Sequence, residues 1–158
     1  MRLLRRFPER PRALLGSETG NAALEFLTAG LILLVPTVYL VIALASIQGA
    51  QLAAAGAARQ AARVYVQAAS DEDASGEASS AVAFALADFG LAPDAASVAV
   101  RCEPHPDVCL TRRGTVTVTV RVNAALPLVP DVLDLRRDAT VAVQATSTQR
   151  VSRLWSGR

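Results

Sequence analysis

Twenty-two consecutive residues, Phe26 to Ile47, carry no charge. At about 1.5 Å rise per residue, a helix of that length spans roughly 33 Å, enough for a bilayer core of about 30 Å. The run predicts a transmembrane helix over residues 21–47. It leaves the rest of a 158-residue chain enough material for one folded domain. At its mouth stands a carboxylate, Glu25, in the stretch "GNAALEFL" that opens at Gly20.

The flanks of the run give it a direction. Arg2, Arg5, Arg6, Arg10 and Arg12 precede Gly20, against Glu9 and Glu18, and no further basic residue appears before Arg59. The positive-inside rule assigns residues 1–20 to the cytoplasm and residues 50–158 to the far side. The expected location is the cytoplasmic membrane, in a single pass, with an extracytoplasmic C-terminal domain. A cleaved signal peptide is a competing reading. Its apolar region normally runs about 7–15 residues, shorter than this one, but Ala43-Leu44-Ala45 does offer a small-x-small site. Arg5-Arg6-Phe7 faintly resembles a twin-arginine signal, although Pro8 and the missing flanking residues argue against it.

The helical pattern continues past the run. "GAQLAAAGAARQAARVYVQAAS" is rich in alanine, the strongest helix former. Arg59, Arg63, Gln67 and Ser70 recur at steps of three or four as a polar stripe. Leu52, Ala55, Ala62, Val66 and Ala69 lie on another side. An amphipathic extension over 48–70 is therefore expected, with "SDEDASGEAS" breaking the helix. A second helix is expected over about 77–89, with Val82, Leu86 and Phe89 on one face and Gly90 as its stop.

The last third of the chain changes period. Val116, Val118, Val120 and Val122 alternate with Thr115, Thr117, Thr119 and Arg121; Val141, Val143 and Ala145 share a face, as do Val98, Val100 and Cys102. Such alternation predicts half-buried strands in a small antiparallel sheet with one apolar side. That side needs a cover, and the long helix together with the second helix can supply it. "LPLVPDVLDL", with Pro127 and Pro130, reads as a connection with at most a short edge strand. The expected fold is α+β: a long N-terminal transmembrane helix, continued as an amphipathic helix, packed on a small antiparallel sheet. The expected divisions are 1–20, 21–47, 48–70 and 71–158.

Little in the chain points to catalysis. There is no G-x-S-x-G, no glycine-rich phosphate loop and only one histidine, His105. Cys102 and Cys109 enclose "EPHPDV", and outside the cytoplasm they are expected to form a disulfide. The metal alternative would use Cys102, His105 and Cys109 with Asp107 nearby. Its spacing is unusual and no second ligand pair exists. Neither a metal nor any other cofactor is expected. The net charge of +2 gives no whole-protein case for nucleic acid. The Arg112-Arg113 and Arg136-Arg137 pairs read as solvated turns, and Trp155 as a packing residue or a lone exposed aromatic.

Glu25 has two readings. As a first-turn residue it would favour the positive end of the helix dipole by about 0.3–1 kcal/mol. As a functional group at membrane depth it needs a partner, because an unpaired carboxylate there costs a few kcal/mol. A cut between Gly20 and Asn21 would create one: the new ammonium of Asn21 on a neighbouring subunit. The carboxylate would then act as a register mark for side-by-side helices.

A basic leader, Gly20, four residues, Glu25-Phe26 and an apolar helix together resemble the class III signal of type IV pilins. More narrowly, "AALEF", the post-membrane "AAAGAARQAARVYVQ" and the late "LPLVPDVLDLRRDATVAVQATS" resemble the TadE-like minor pilins (pseudopilins) of the tight-adherence, or Flp, pilus system. The resemblance departs at one point: many relatives carry a proline about six residues after the box, where this chain has Leu31, with Pro36 later. It implies a non-catalytic minor pilin or pilus assembly protein, cut after Gly20 by a membrane-embedded prepilin peptidase. Gly20, Asn21, Glu25 and Phe26 would be its processing and assembly positions. Its partners would be that peptidase, other pilins, the assembly-platform proteins and membrane lipid, with no nucleic acid. The competing function is an uncleaved signal-anchored envelope protein whose outer domain binds a partner.

Overall fold

The computed structural model describes residues 21–129 and 139–156. The chain forms two compact units that divide between Leu40 and Val41. The secondary structure is α+β: helix α1 (Asn21–Tyr65), helix α2 (Asp71–Ala87), a short 3-10 turn (Pro93–Ala95), then strands β1 (Ala96–Glu103), β2 (Thr115–Ala125) and β3 (Thr140–Arg150).

Helix α1 runs unbroken through Pro36. Inside the apolar run its hydroxyls turn back on the helix: Thr28 and Thr37 donate to the carbonyls of Leu24 and Leu33 at 2.7 Å. That arrangement gives each hydroxyl a partner within its own helix. α1 ends at Tyr65, within the β-branched and aromatic "VYV", a few residues earlier than the expected end at 70.

The segment expected to break the helices instead starts the second one. Ser70 is extended, and its hydroxyl accepts from the Asp73 N–H at 3.1 Å as the N-cap of α2. Asp71, Glu72 and Asp73 fill the first turn, where carboxylates favour the positive end of the helix dipole. α2 thus begins six residues before the expected start. It stops as expected, with Gly90 at φ 67°. The Gly90 N–H reaches the Ala87 carbonyl at 2.9 Å and the Leu91 N–H reaches that of Leu86 at 3.0 Å. This pair of bonds is the Schellman closure, which places a glycine in the left-handed region.

The three strands form one antiparallel sheet in the order β1-β2-β3, with Val100 opposite Val118 and Val143 opposite Val122. Val116, Val118, Val120 and Val122 are wholly buried. They share one core with the inner face of α1, from Ala50 through Tyr65, and with Ala74, Ala78, Val82 and Leu86 of α2. The other side of the sheet is open and polar. Thr117 meets Thr148 at 3.0 Å, Thr119 meets Thr146 at 3.1 Å, and Arg121 Nε donates to Gln144 Oε1 at 3.1 Å.

Three face assignments differ from the expectation. On α1 the buried stripe is Ala50, Ala53, Ala54, Ala57, Ala58, Ala61 and Ala62, while Leu52 is 63% exposed and Ala69 lies outside. An alanine-rich helix has little periodic contrast, and methyl groups are what allow its axis to approach a layer of valines closely. Phe89, expected on the inner face of the second helix, lies just past the end of α2 and is exposed, as is Phe84 on α2. On β1, register sets Val98 and Val100 on the core side, yet this is an edge strand and the helices leave both more than a third exposed.

Candidate functional site

Of the positions singled out at the N-terminal box, Gly20 lies outside the described residues. Asn21, Glu25 and Phe26 all lie in α1. Asn21 and Glu25 are four residues apart and so share a helix face, continued by Thr28 and Ile32. Because Asn21 to Leu24 are already helical, Glu25 is not a first-turn residue. The simple dipole explanation therefore weakens, since the effect falls off within the first turn.

The surroundings of the carboxylate are apolar and open. Leu24, Phe26, Leu27 and residues Leu31 to Val35 are each 58–78% exposed. The mean hydropathy of the most apolar 18-residue window in α1 is 2.4, and the helix is long and apolar enough to cross a membrane. A contiguous apolar surface of this kind is unstable against water and needs lipid or other helices around it.

The second unit has two ends, fixed by hydrogen bonds to α1 and its continuation. At one end the Ser46 hydroxyl donates to the Ala125 carbonyl at 3.4 Å. At the other end the Trp155 indole N–H donates to the Ala68 carbonyl at 3.1 Å. Ser46 to Tyr65, the end of α1, is about 29 Å of helix, and β2 from Thr115 to Ala125 is about 34 Å of strand. β2 therefore runs antiparallel to α1 over the length of the unit and returns the chain to the Ser46 end.

The Ala68 end carries the cysteines. Cys102 and Cys109 are joined in a disulfide with Cα atoms 5.0 Å apart, so neither sulfur is a thiolate free to ligate zinc. Just after it, the Leu110 N–H donates to Asp71 Oδ1 at 3.1 Å, tying the loop to the first turn of α2. Arg112 Nε donates to the Trp155 carbonyl at 2.9 Å. Gly114 closes the turn where a Cβ would come within 2.6 Å of Thr111 Oγ1. His105 is exposed in this loop, and among the described residues no three His, Cys, Asp or Glu side chains are grouped to hold a metal.

Sequence reasoning missed the bonds that orient the second unit. Trp155 could be expected to pack but not to satisfy a helix-end carbonyl 87 residues away. The Ser70-x-x-Asp73 spacing did carry a readable N-cap signal.

These features define an α+β protein with a long apolar N-terminal helix, a second helix and a three-stranded antiparallel sheet. Comparison with protein-family models, with curated proteins and with solved structures finds no match to this chain.

Proposed function

We propose that the chain is a non-catalytic minor pilin or pilus assembly subunit, anchored in the cytoplasmic membrane with its sheet-bearing unit on the outer side. The observation that carries this reading is Glu25, a carboxylate on the same helix face as Asn21, at the head of an exposed apolar surface. A structural anchor has no use for a charge there. A subunit that must find its place beside others does.

In this reading a prepilin peptidase cuts after Gly20 and removes the five arginines of the leader. Asn21 then carries an ammonium. Glu25 of one subunit pairs with the ammonium of the next, and in a low-dielectric surround each charge penalises any register that leaves the other unmatched. Amine and carboxylate sit about one helical turn apart on each chain, so the pairing joins staggered helices. A staggered, head-to-tail contact propagates and does not close on itself. The disulfide supports the outer location, because such bonds persist in oxidising compartments. The resemblance of the "AALEF" box to the TadE-like pilins supports the family.

The test is Glu25→Ala in cells that express the peptidase. The variant should still lose its leader but fail to cross-link to, or co-purify with, other pilins and platform proteins. Normal assembly by Glu25→Ala would leave the competing function, an uncleaved anchor with a partner-binding outer domain.

A further inference from the structure

We infer that the groove between α1 and α2 receives the outward side of α1 from a second copy of this chain, with the two α1 helices parallel. The groove lies wholly within the second unit. Only residues 66–70 separate the two helices, so α2 turns back along α1. Gly56, Gln60 and Val64 line one wall, and α2 with Phe89 lines the other. Phe84 and Phe89 stand in it 76% and 50% exposed, as aromatic anchors do before a partner covers them. Gly56 and Gly76, one from each helix, also line it. A glycine inside a helix is unfavourable relative to alanine, and an added Cβ at either position would meet nothing within 4 Å. The fold of a single copy therefore does not require them; the close approach of another helix does.

The charges name the occupant. Glu72, Asp73, Glu77 and Asp88 line the groove, and no basic side chain does. A helix that fits must be apolar at one point and cationic at others. The outward side of α1 is such a helix: Leu52, Arg59 and Arg63 share it, and all three are exposed. The spacings also agree. Arg59 and Arg63 follow Leu52 by seven and eleven residues, and Glu77 and Asp73 precede Phe84 by seven and eleven. Both pairs of intervals are about 10 and 16 Å along a helix. Leu52 set against Phe84 thus brings Arg59 to Glu77 and Arg63 to Asp73. In that register the incoming α1 runs antiparallel to α2, and so parallel to the α1 of the groove. On the reading of α1 as membrane-spanning, two copies threaded the same way through one bilayer need that direction. The aromatic contact supplies affinity and the ion pairs set register. Groove and stripe are different surfaces, so each copy can give one and accept with the other.

The experiment co-expresses two full-length copies with different tags, extracts them in mild detergent at low salt, and measures how much of one copy is recovered with the other. Native copies should co-purify. Phe84→Ala in both copies should lower recovery by about tenfold. Gly76→Leu in both copies should do the same by filling the groove, while its near-ultraviolet circular dichroism stays native because leucine favours the helix. Glu77→Arg and Arg59→Glu should each recover itself several-fold less than the native chain does. A mixture of the two should recover, because the stripe of one copy then meets a groove of opposite charge on the other. Native copies that do not co-purify would overturn the inference. So would undiminished recovery of Phe84→Ala and Gly76→Leu, or a mixture of the charge variants that recovers no better than each alone. Intact mass and membrane fractionation of the same samples test the processing and anchoring readings separately: a chain that keeps its leader contradicts the former and leaves the groove result standing.

Discussion

Trp155 donates its indole N–H to the Ala68 carbonyl at 3.1 Å, across 87 residues of chain. Ala68 follows the last turn of α1, where carbonyls lack partners within the helix. The same tryptophan's own carbonyl accepts from Arg112 at 2.9 Å. The C-terminal segment is thereby latched over the junction of α1 and α2.

Trp155→Phe keeps an aromatic ring but deletes that donor. It should destabilise the second unit by about 1–2 kcal/mol, the cost of a lost hydrogen bond at a partly buried carbonyl. Thermal unfolding of the full chain in detergent, followed by near-ultraviolet circular dichroism, should shift down by a few degrees.

The two faces of β2 should respond differently to truncation. Val118→Ala empties a wholly buried site and should cost on the order of 2 kcal/mol. Thr117→Ala, on the open face, loses one hydroxyl pair with Thr148 and should cost roughly 0.5 kcal/mol. Denaturant midpoints for the two variants check the difference. Equal costs would mean that the open face is covered.

The alanine stripe makes a sharper prediction. Ala57→Leu forces bulk between α1 and the sheet and should cost about 1–3 kcal/mol by overpacking. Leu52→Gln, on the exposed side, should fall within about 0.5 kcal/mol of the parent. Hydrophobicity alone predicts the reverse order, so comparing unfolding midpoints tests which side of α1 meets the core.

That reversal shows where the sequence was legible and where it was not. The uncharged run, the valine–threonine alternation of β2 and the Gly90 stop are strong local signals, and each element stands where its pattern put it. The face of an alanine helix has no such signal, because its core side is chosen by how closely it must approach the valines. Leu52, the one leucine in its stretch, pointed to the wrong side. The acidic start of α2 looked like a linker because its charges suit both a solvated loop and a helix N-terminus; Ser70 decides between them. Val98 and Val100 follow the alternation, but their exposure is set by how far the helices extend over the edge of the sheet. At the candidate site, the spacing of Asn21 and Glu25 was legible from the start. The meeting of the end of β2 with α1 was not, since it depends on the bond between Ser46 and Ala125.

Gly90→Ala tests the end of α2. A Cβ at φ 67° costs roughly 1–2 kcal/mol even though nothing crowds the site. Gly90→Asn should recover part of the loss, since asparagine tolerates the left-handed region. Amide exchange at Leu91, whose N–H closes the helix, should report the change directly.

The central claim is that an ammonium appears at Asn21 to meet a neighbour's Glu25. N-terminal sequencing of the natively expressed chain, extracted from membranes of cells with and without the prepilin peptidase, tests it most directly. The account predicts a sequence opening Asn-Ala-Ala-Leu-Glu when the peptidase is active, and an uncut leader when it is absent. A chain that still begins at Met1 or Arg2 beside an active peptidase would contradict it.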